Sequence, residues 1–277
     1  MRHFPGPHSG LEPPSVRPVL RCLLTASWLV LSLAGCVVTR EAAPAPQVDT
    51  SGRLDARPGQ VTGTRVAPGA HPLGLGGARD GLLYVPKSHR PDQPAPLMLV
   101  LHGSRGNAGQ MLQALQALAD SEGILLLIPD SRGLTWDDKM GKHGEDLVFI
   151  DRALAQVFSR HLVARERISV AGFSAGGSYA LALGILNGDL FSRVLAFAPG
   201  FVHAEEPQGA PLIFVAHGDK DLVLPVEGSS RRIVAELRSA GFAVHYHEFS
   251  GGHFIPADVV QAAIQWLREA PPPASGP

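Results

Sequence analysis

Cysteine is scarce in this chain of 277 residues, which has only Cys22 and Cys36, both near the N-terminus. No C-x-x-C pair occurs, which excludes a thiolate zinc site and a disulfide framework. If the N-terminal segment is removed, a cysteine nucleophile goes with it, leaving Ser, Thr, Asp, Glu or Lys for nucleophilic catalysis. Net charge is lacking too: 24 basic against 25 acidic side chains leave a formal charge of −1, which argues against nucleic acid as a partner. There is no internal repeat and no H-E-x-x-H. The nearest approach to a metal spacing is His245 with His247, two apart on one strand face and more readily structural than ligating. The chemistry therefore calls for no metal and no cofactor. What is present is 45% hydrophobic residues, enough to pack one large α/β domain or two small ones.

The first forty residues read as an address. Arg17 and Arg21 flank an apolar stretch, Cys22 to Ala34, that is short for a membrane span and laid out like a secretory signal. It ends in Leu33-Ala-Gly-Cys36, which resembles a bacterial lipobox with Cys36 as the lipidated first residue of the mature protein. An ordinary cleaved signal and an uncleaved anchor helix are the alternatives. Val37 rather than Asp after the cysteine leans toward the outer membrane of a double-membraned bacterium, by resemblance to lipoprotein sorting. Residues 1–35 are thus expected to be a signal peptide and 36–78 a flexible tether of Pro, Ala, Gly, Arg and Thr, in which Gln60 to Leu75 could add an edge strand. Residues 79–270 form the catalytic domain, and 271–277 a frayed tail.

From Leu82 onward, apolar runs of strand length alternate with helix-length amphipathic segments. Continuous apolar strands separated by helices predict an α/β fold with a mostly parallel central sheet covered by helices on both faces. Function in such sheets gathers at the carboxyl ends of the strands.

At one such end stands Gly172-Phe-Ser174-Ala-Gly176, preceded by the apolar run Ile168 to Ala171 and followed by a helical segment. Strand, sharp turn and helix form the setting in which G-x-S-x-G exposes a serine oxygen, with the helix N-terminus offering N–H groups to a developing anion. Leu101-His-Gly-Ser-Arg-Gly-Asn107 follows another buried strand, and its glycines let backbone N–H groups approach a substrate. Ser104 and Ala175 are the expected oxyanion donors. In Ala216-His-Gly-Asp-Lys-Asp221, Asp219 and Asp221 compete for the role of acid. His253, in Ser250-Gly-Gly-His-Phe254, completes the order Ser…Asp…His.

With these pieces the segment from about Leu82 to Leu267 resembles the α/β-hydrolase esterases, near the phospholipase/carboxylesterase and polyhydroxybutyrate depolymerase-like group. In that group the acid lies four residues after the His of His-Gly, so the resemblance favours Asp221. It likewise implies Ser174 as nucleophile, His253 as base, and Ser104 with Ala175 as oxyanion donors. Arg105 departs from the small residues common at its position. It either selects an acidic or polar acyl group or faces water.

The expected reaction is ester hydrolysis through an acyl-enzyme, on a small-molecule substrate, by a membrane-anchored monomer or dimer. A thioesterase or peptidase with the same triad, a metallohydrolase, and an inactive hydrolase-fold binding protein are the rivals. Trp136, alone in a polar loop at a strand end, is expected either to pack against the acyl or alcohol group or to cover core as a rim residue. Phe173, beside Ser174, and Arg105 are the other candidate substrate contacts. No long apolar lid insertion is visible, and an open site suits short-chain or aryl esters.

Overall fold

The computed structural model describes residues 52–137, 144–203 and 206–269. In chain order these hold β1 (Gly69–Pro72), β2 (Gly81–Val85), β3 (Ala95–Leu101), α1 (Ala108–Glu122), β4 (Leu125–Pro129), α2 (Glu145–Arg160), β5 (Val163–Phe173) and α3 (Ala175–Leu186). There follow β6 (Arg193–Phe197), β7 (Leu212–Gly218), a π-helical turn (Glu227–Arg231) running into α4 (Arg232–Ser239), β8 (Val244–Phe249) and α5 (Ala257–Glu269). The strands make one sheet of order β1-β2-β4-β3-β5-β6-β7-β8. β2 pairs antiparallel with β1 and β4, and every other neighbour is parallel.

The alternation of side chains along a strand sorts the core into two layers. Leu97, Leu99 and Leu101 of β3 pack with Leu147 and Leu154 of α2 and Tyr179 and Leu183 of α3. Met98 and Val100 point the other way, onto Met111 and Leu115 of α1 and Val259 and Ile264 of α5. Strands buried on both faces have no polar side to show, which is why they read as unbroken apolar runs. α1 has the start and stop that its sequence advertises: the Asn107 side chain accepts from Gln110 N, and Gly123 closes the helix at φ 66°. β5 begins earlier than its apolar run, because Val163 pairs with Ala95 and the register shifts before Leu97 meets Ile168.

The tether expected to reach residue 78 is corrected over 52–78. Leu54 is 2% exposed and Leu73 4%, both inside the core. Leu54 N donates to Asn187 Oδ1 at 2.9 Å, and Arg53 and Arg57 both bind the Asp189 carboxylate. Thr62 N and Gly63 N donate to Ser159 O, and β1 is the edge strand expected within Gln60 to Leu75. Local composition hid this, since the few apolar residues have no period and the partners of Arg53, Leu54, Arg57, Thr62 and Gly63 lie far along the chain. The signal segment, Cys36 and the tail after residue 270 lie outside the described residues.

His161, just after α2, is 2% exposed and sits 3.3 Å from His89. Burial and the neighbouring His89 push its imidazole down to about 4, from an ordinary 6.5. Between those values the unfolded chain binds a proton that the folded chain refuses. The contribution is therefore complete above pH 6.5 and is lost as pH falls toward 4, by at most about 3 kcal/mol. His161→Gln is expected to flatten that part of the acid limb of stability, read as urea midpoints between pH 7 and pH 4. A slope equal to wild type refutes it.

Candidate active site

β5 delivers Ser174 through a turn that an L residue adopts at a cost. Its φ is 55° and ψ −119°, a strained combination that persists because the surroundings enforce it. Ser174 N donates to Phe197 O at 2.8 Å, and Ser178 N donates back to Ser174 O at 3.0 Å. Pinned on both sides, the serine points its hydroxyl out over the carboxyl edge of the sheet. Ser174 Oγ lies 2.9 Å from His253 Nε2, and His253 Nδ1 lies 2.6 Å from Asp221 Oδ2. The carboxylate can only accept, so His253 carries its hydrogen on Nδ1 and presents Nε2 as the acceptor for the serine proton. Phe173 leans on the His253 ring at a centroid distance of 4.8 Å, which makes it a wall of the base as well as a partly exposed rim residue.

The competition between the two aspartates is decided by geometry. Asp221 is 4% exposed and meets the base. Asp219 instead accepts from Gly251 N at 3.0 Å, holding the loop that carries His253. Burial raises the Asp221 carboxyl, but hydrogen bonds from Leu224 N, His253 and Val223 N outweigh it and hold the group below the usual carboxylate range. His245 and His247 stack on Phe214 and take no part in this cluster.

The loop after β3 abuts the serine: a Cβ on Gly103 would stand 3.4 Å from Ser174 Cβ. Ser104 and Ala175 flank this space, and among the described residues no backbone acceptor takes their N–H groups. Ser104 is exposed, with its hydroxyl 3.2 Å from Thr135 Oγ1. Arg105 takes φ 62°, donates its N–H to Leu134 O, and is exposed at the mouth.

Trp136 requires correction. It is 1% exposed, so it does not line the mouth or touch an acyl group. Its indole N–H donates to His102 O at 2.8 Å, and the ring stacks on Tyr179 at 5.4 Å. The flanking loop folds inward because Asp146 accepts from both Arg132 N and Asp137 N, while Asp137 accepts from Asp146 N and the Tyr179 hydroxyl. Burial pushes the Asp146 carboxyl up to about 6. Trp136 thus braces the loop after β3 from below. Trp136→Phe is expected to lower kcat about tenfold, from one unpaired buried carbonyl, and by the same factor on every p-nitrophenyl ester from acetate to octanoate. A changed chain-length profile would restore the contact reading.

Two further braces escaped sequence reading. His102 Nε2 accepts from Ser131 N at 3.0 Å, and its Nδ1 faces Gly103 O at 2.7 Å. Burial lowers its proton affinity, which keeps it neutral for that acceptor role. Arg79 reaches Gly106 O at 2.7 Å and Ser131 O at 2.6 Å. No local signal marks Arg79, which precedes the first recognisable strand of the domain. A cavity of about 460 Å³, lined in part by Pro96, Arg167, Ser192 and Arg193, opens at the amino edge, away from this chemistry.

Residues 74–210, just under half of the chain, match the Esterase family model, described as "Putative esterase". That segment holds Ser174 and the loop at Gly103 but stops before Asp221 and His253, whose placement rests on the geometry above. The chain is 28% identical to feruloyl esterase C of Emericella nidulans over 159 residues, 54% of this chain and 57% of that protein. It is 30% identical to the bifunctional acetylxylan esterase/xylanase XynS20E of Neocallimastix patriciarum over 157 residues, 54% of this chain and 22% of that protein. The match therefore spans little more than half the length of the first of these relatives and less of the second. Among solved structures, esterase PE8 superposes with a TM-score of 0.57 at 23% identity, covering 69% of this chain and 98% of that one. Sheet order, the strand–serine–helix elbow and these likenesses together place the chain among proteins of the α/β-hydrolase fold.

Proposed function

We propose that this protein is a serine carboxylesterase that hydrolyses small or moderately sized esters through an acyl-enzyme. The observation that carries this reading is the unbroken relay from Ser174 Oγ to His253 Nε2 and from His253 Nδ1 to Asp221 Oδ2, at 2.9 and 2.6 Å. His253 takes the serine proton as Oγ bonds to the ester carbon, and the Ser104 and Ala175 N–H groups receive the oxyanion. The tetrahedral species expels the alcohol, which leaves with the proton from Nε2. Water, deprotonated by the same nitrogen, then cleaves the acyl-enzyme and releases the acid, and the proton returns to Ser174. Asp221 keeps the imidazole in the required tautomer and stabilises the imidazolium without taking its proton.

Leu222 and Val223 beside the acid, Phe254 beside the base, and Leu134 beside the oxyanion loop are all exposed, giving the mouth an apolar rim. That rim suits an apolar or aryl arm of the ester. The names of the two relatives make aryl and acetyl esters the first substrates to screen. Cys36, with the lipobox-like run before it, supports lipid anchoring of this domain outside the cytoplasm. The test is a fluorophosphonate probe followed by peptide mapping. A single adduct on Ser174 is expected, whereas an unlabelled, well-folded protein replaces the esterase with a binding protein on the same scaffold. Labelling undiminished by EDTA separates the serine mechanism from a metallohydrolase.

A further inference from the structure

The Asp221 carboxylate is held by a second histidine that the reaction above does not use. Its Oδ1 accepts from Val223 N at 2.8 Å and Leu224 N at 2.9 Å. Its Oδ2, the atom bonded to His253, also lies 3.1 Å from His217 Nε2. His217 is fully buried at the end of β7, and the same Nε2 faces Leu224 O at 2.9 Å. Both partners of Nε2 only accept, so that nitrogen carries the hydrogen and shares it between them. The other nitrogen, Nδ1, is then an acceptor and takes the hydroxyl hydrogen of Ser230 at 2.6 Å. Ser230 is itself fully buried, on the π-helical turn, a backbone irregularity that recurs at functional sites.

We infer that His217, fixed by Ser230, is a positioning residue of this site, whose neutral imidazole orients the Asp221 carboxylate and competes with His253 for the same oxygen. The inference rests on the esterase reading. Two N–H groups on one oxygen divide its charge, so His217 weakens the hold of Asp221 on a protonated His253 and lets the base work at lower pH. Burial favours the uncharged imidazole that this role needs, and the bond to Leu224 and the Asp221 charge only partly oppose it. The other charged groups nearby are Glu248 on β8, paired with Arg231 of the π-helical turn, and Asp219, bonded to Gly251 N. None of them is altered in the variants below.

The readout is the pH dependence of kcat/KM on p-nitrophenyl acetate, whose acid limb reports the essential base of the free enzyme. His217→Leu removes the donor, and kcat is expected to fall about 10- to 100-fold, as for a buried charged group stripped of one hydrogen bond. The acid limb is expected to move up by about half a unit to one unit, as the carboxylate turns its whole charge on the imidazole. His217→Gln, whose amide can donate to Asp221 and accept from Ser230, is expected to return the limb to its wild-type position. A His217→Leu enzyme with reduced stability but an unmoved limb shows a structural role only and overturns the inference. Should His217→Leu fail to fold, Ser230→Ala keeps the imidazole but frees it to turn, and a smaller upward shift is expected; a limb equal to wild type overturns the inference there too. Fluorophosphonate labelling of the wild-type protein runs alongside. Absent labelling removes the esterase reading itself, whereas a labelled wild type with unmoved limbs removes only the role of His217.

Discussion

Ser174→Ala is expected to abolish hydrolysis of p-nitrophenyl acetate, lowering kcat about 10⁵-fold or more, the scale seen when a serine nucleophile is removed. Residual turnover would come from the oxyanion donors and binding alone, and Asp221 and His253 could add little without an oxygen to activate. The fold is expected to stay intact. The Ser174 hydroxyl reaches His253 and supports no backbone, whereas the bonds that hold the turn run through Ser174 N and O, which alanine retains. Alanine suffers the positive φ as serine does, so the urea midpoint should remain within about 0.5 kcal/mol of wild type in stability terms. Steady-state rates and a denaturation curve on the same preparation check both halves. Retained turnover with an unchanged melt would remove Ser174 from the mechanism.

Gly176→Ala is expected to damage the fold far more than the loss of the nucleophile. A Cβ at that position would stand 2.2 Å from Leu101 O and 2.5 Å from His102 O. Both are backbone atoms, at the end of β3 and the start of the loop after it, so no rotamer change relieves the clash and β3 must part from α3. The expected loss is about 3–5 kcal/mol, at the upper end for a single substitution, and the elbow opens with it. Gly59→Ala, where a Cβ meets nothing within 4 Å, serves as the control and should be neutral. The comparison is made by urea denaturation. A Gly176→Ala protein as stable as the control would mean that the elbow yields in a way that close packing does not allow.

Much of the fold could be read from the sequence because a strand buried on both faces leaves an unmistakable mark. Leu97 to Leu101 and Leu125 to Ile128 have no polar residue to confuse them, and the amphipathic stretch from Glu145 buries Leu147, Ile150, Leu154, Val157 and Phe158 at helical spacing. Ser174 and His253 were legible for a related reason: each follows a strand and lies close to glycines, where backbone must pass close to backbone, whereas the same signal marked Asp219 and Asp221 alike and only the family resemblance favoured Asp221. Trp136 could not be assigned between substrate and core because a lone aromatic in a polar loop has no period to betray its direction, and its burial rules out the substrate contact. Its burial depends on Asp146 gathering Arg132 and Asp137, a contact between a helix start and a loop that spacing does not encode. Apart from the edge strand expected within Gln60 to Leu75, the packing of the segment from Gly52 to Ala78 was missed for want of density: Leu54 and Leu73 are deeply buried, but their immediate neighbours in sequence are not. His217 stood in plain view in the His-Gly motif, yet only the fold shows that it and His253 share an oxygen.

The packed start of the domain also gives the molecule a direction. α3 leaves Ser174 at the carboxyl edge and runs back along the sheet, so Asn187 and Asp189, just past its end, mark the amino edge. Gly52 and Arg53 are bonded there, to Asn187 Nδ2 and to Asp189. Gly52 and Arg53 therefore lie at one edge of the sheet and Ser174 at the other, separated by the height of strands five to seven residues long, roughly 20 Å.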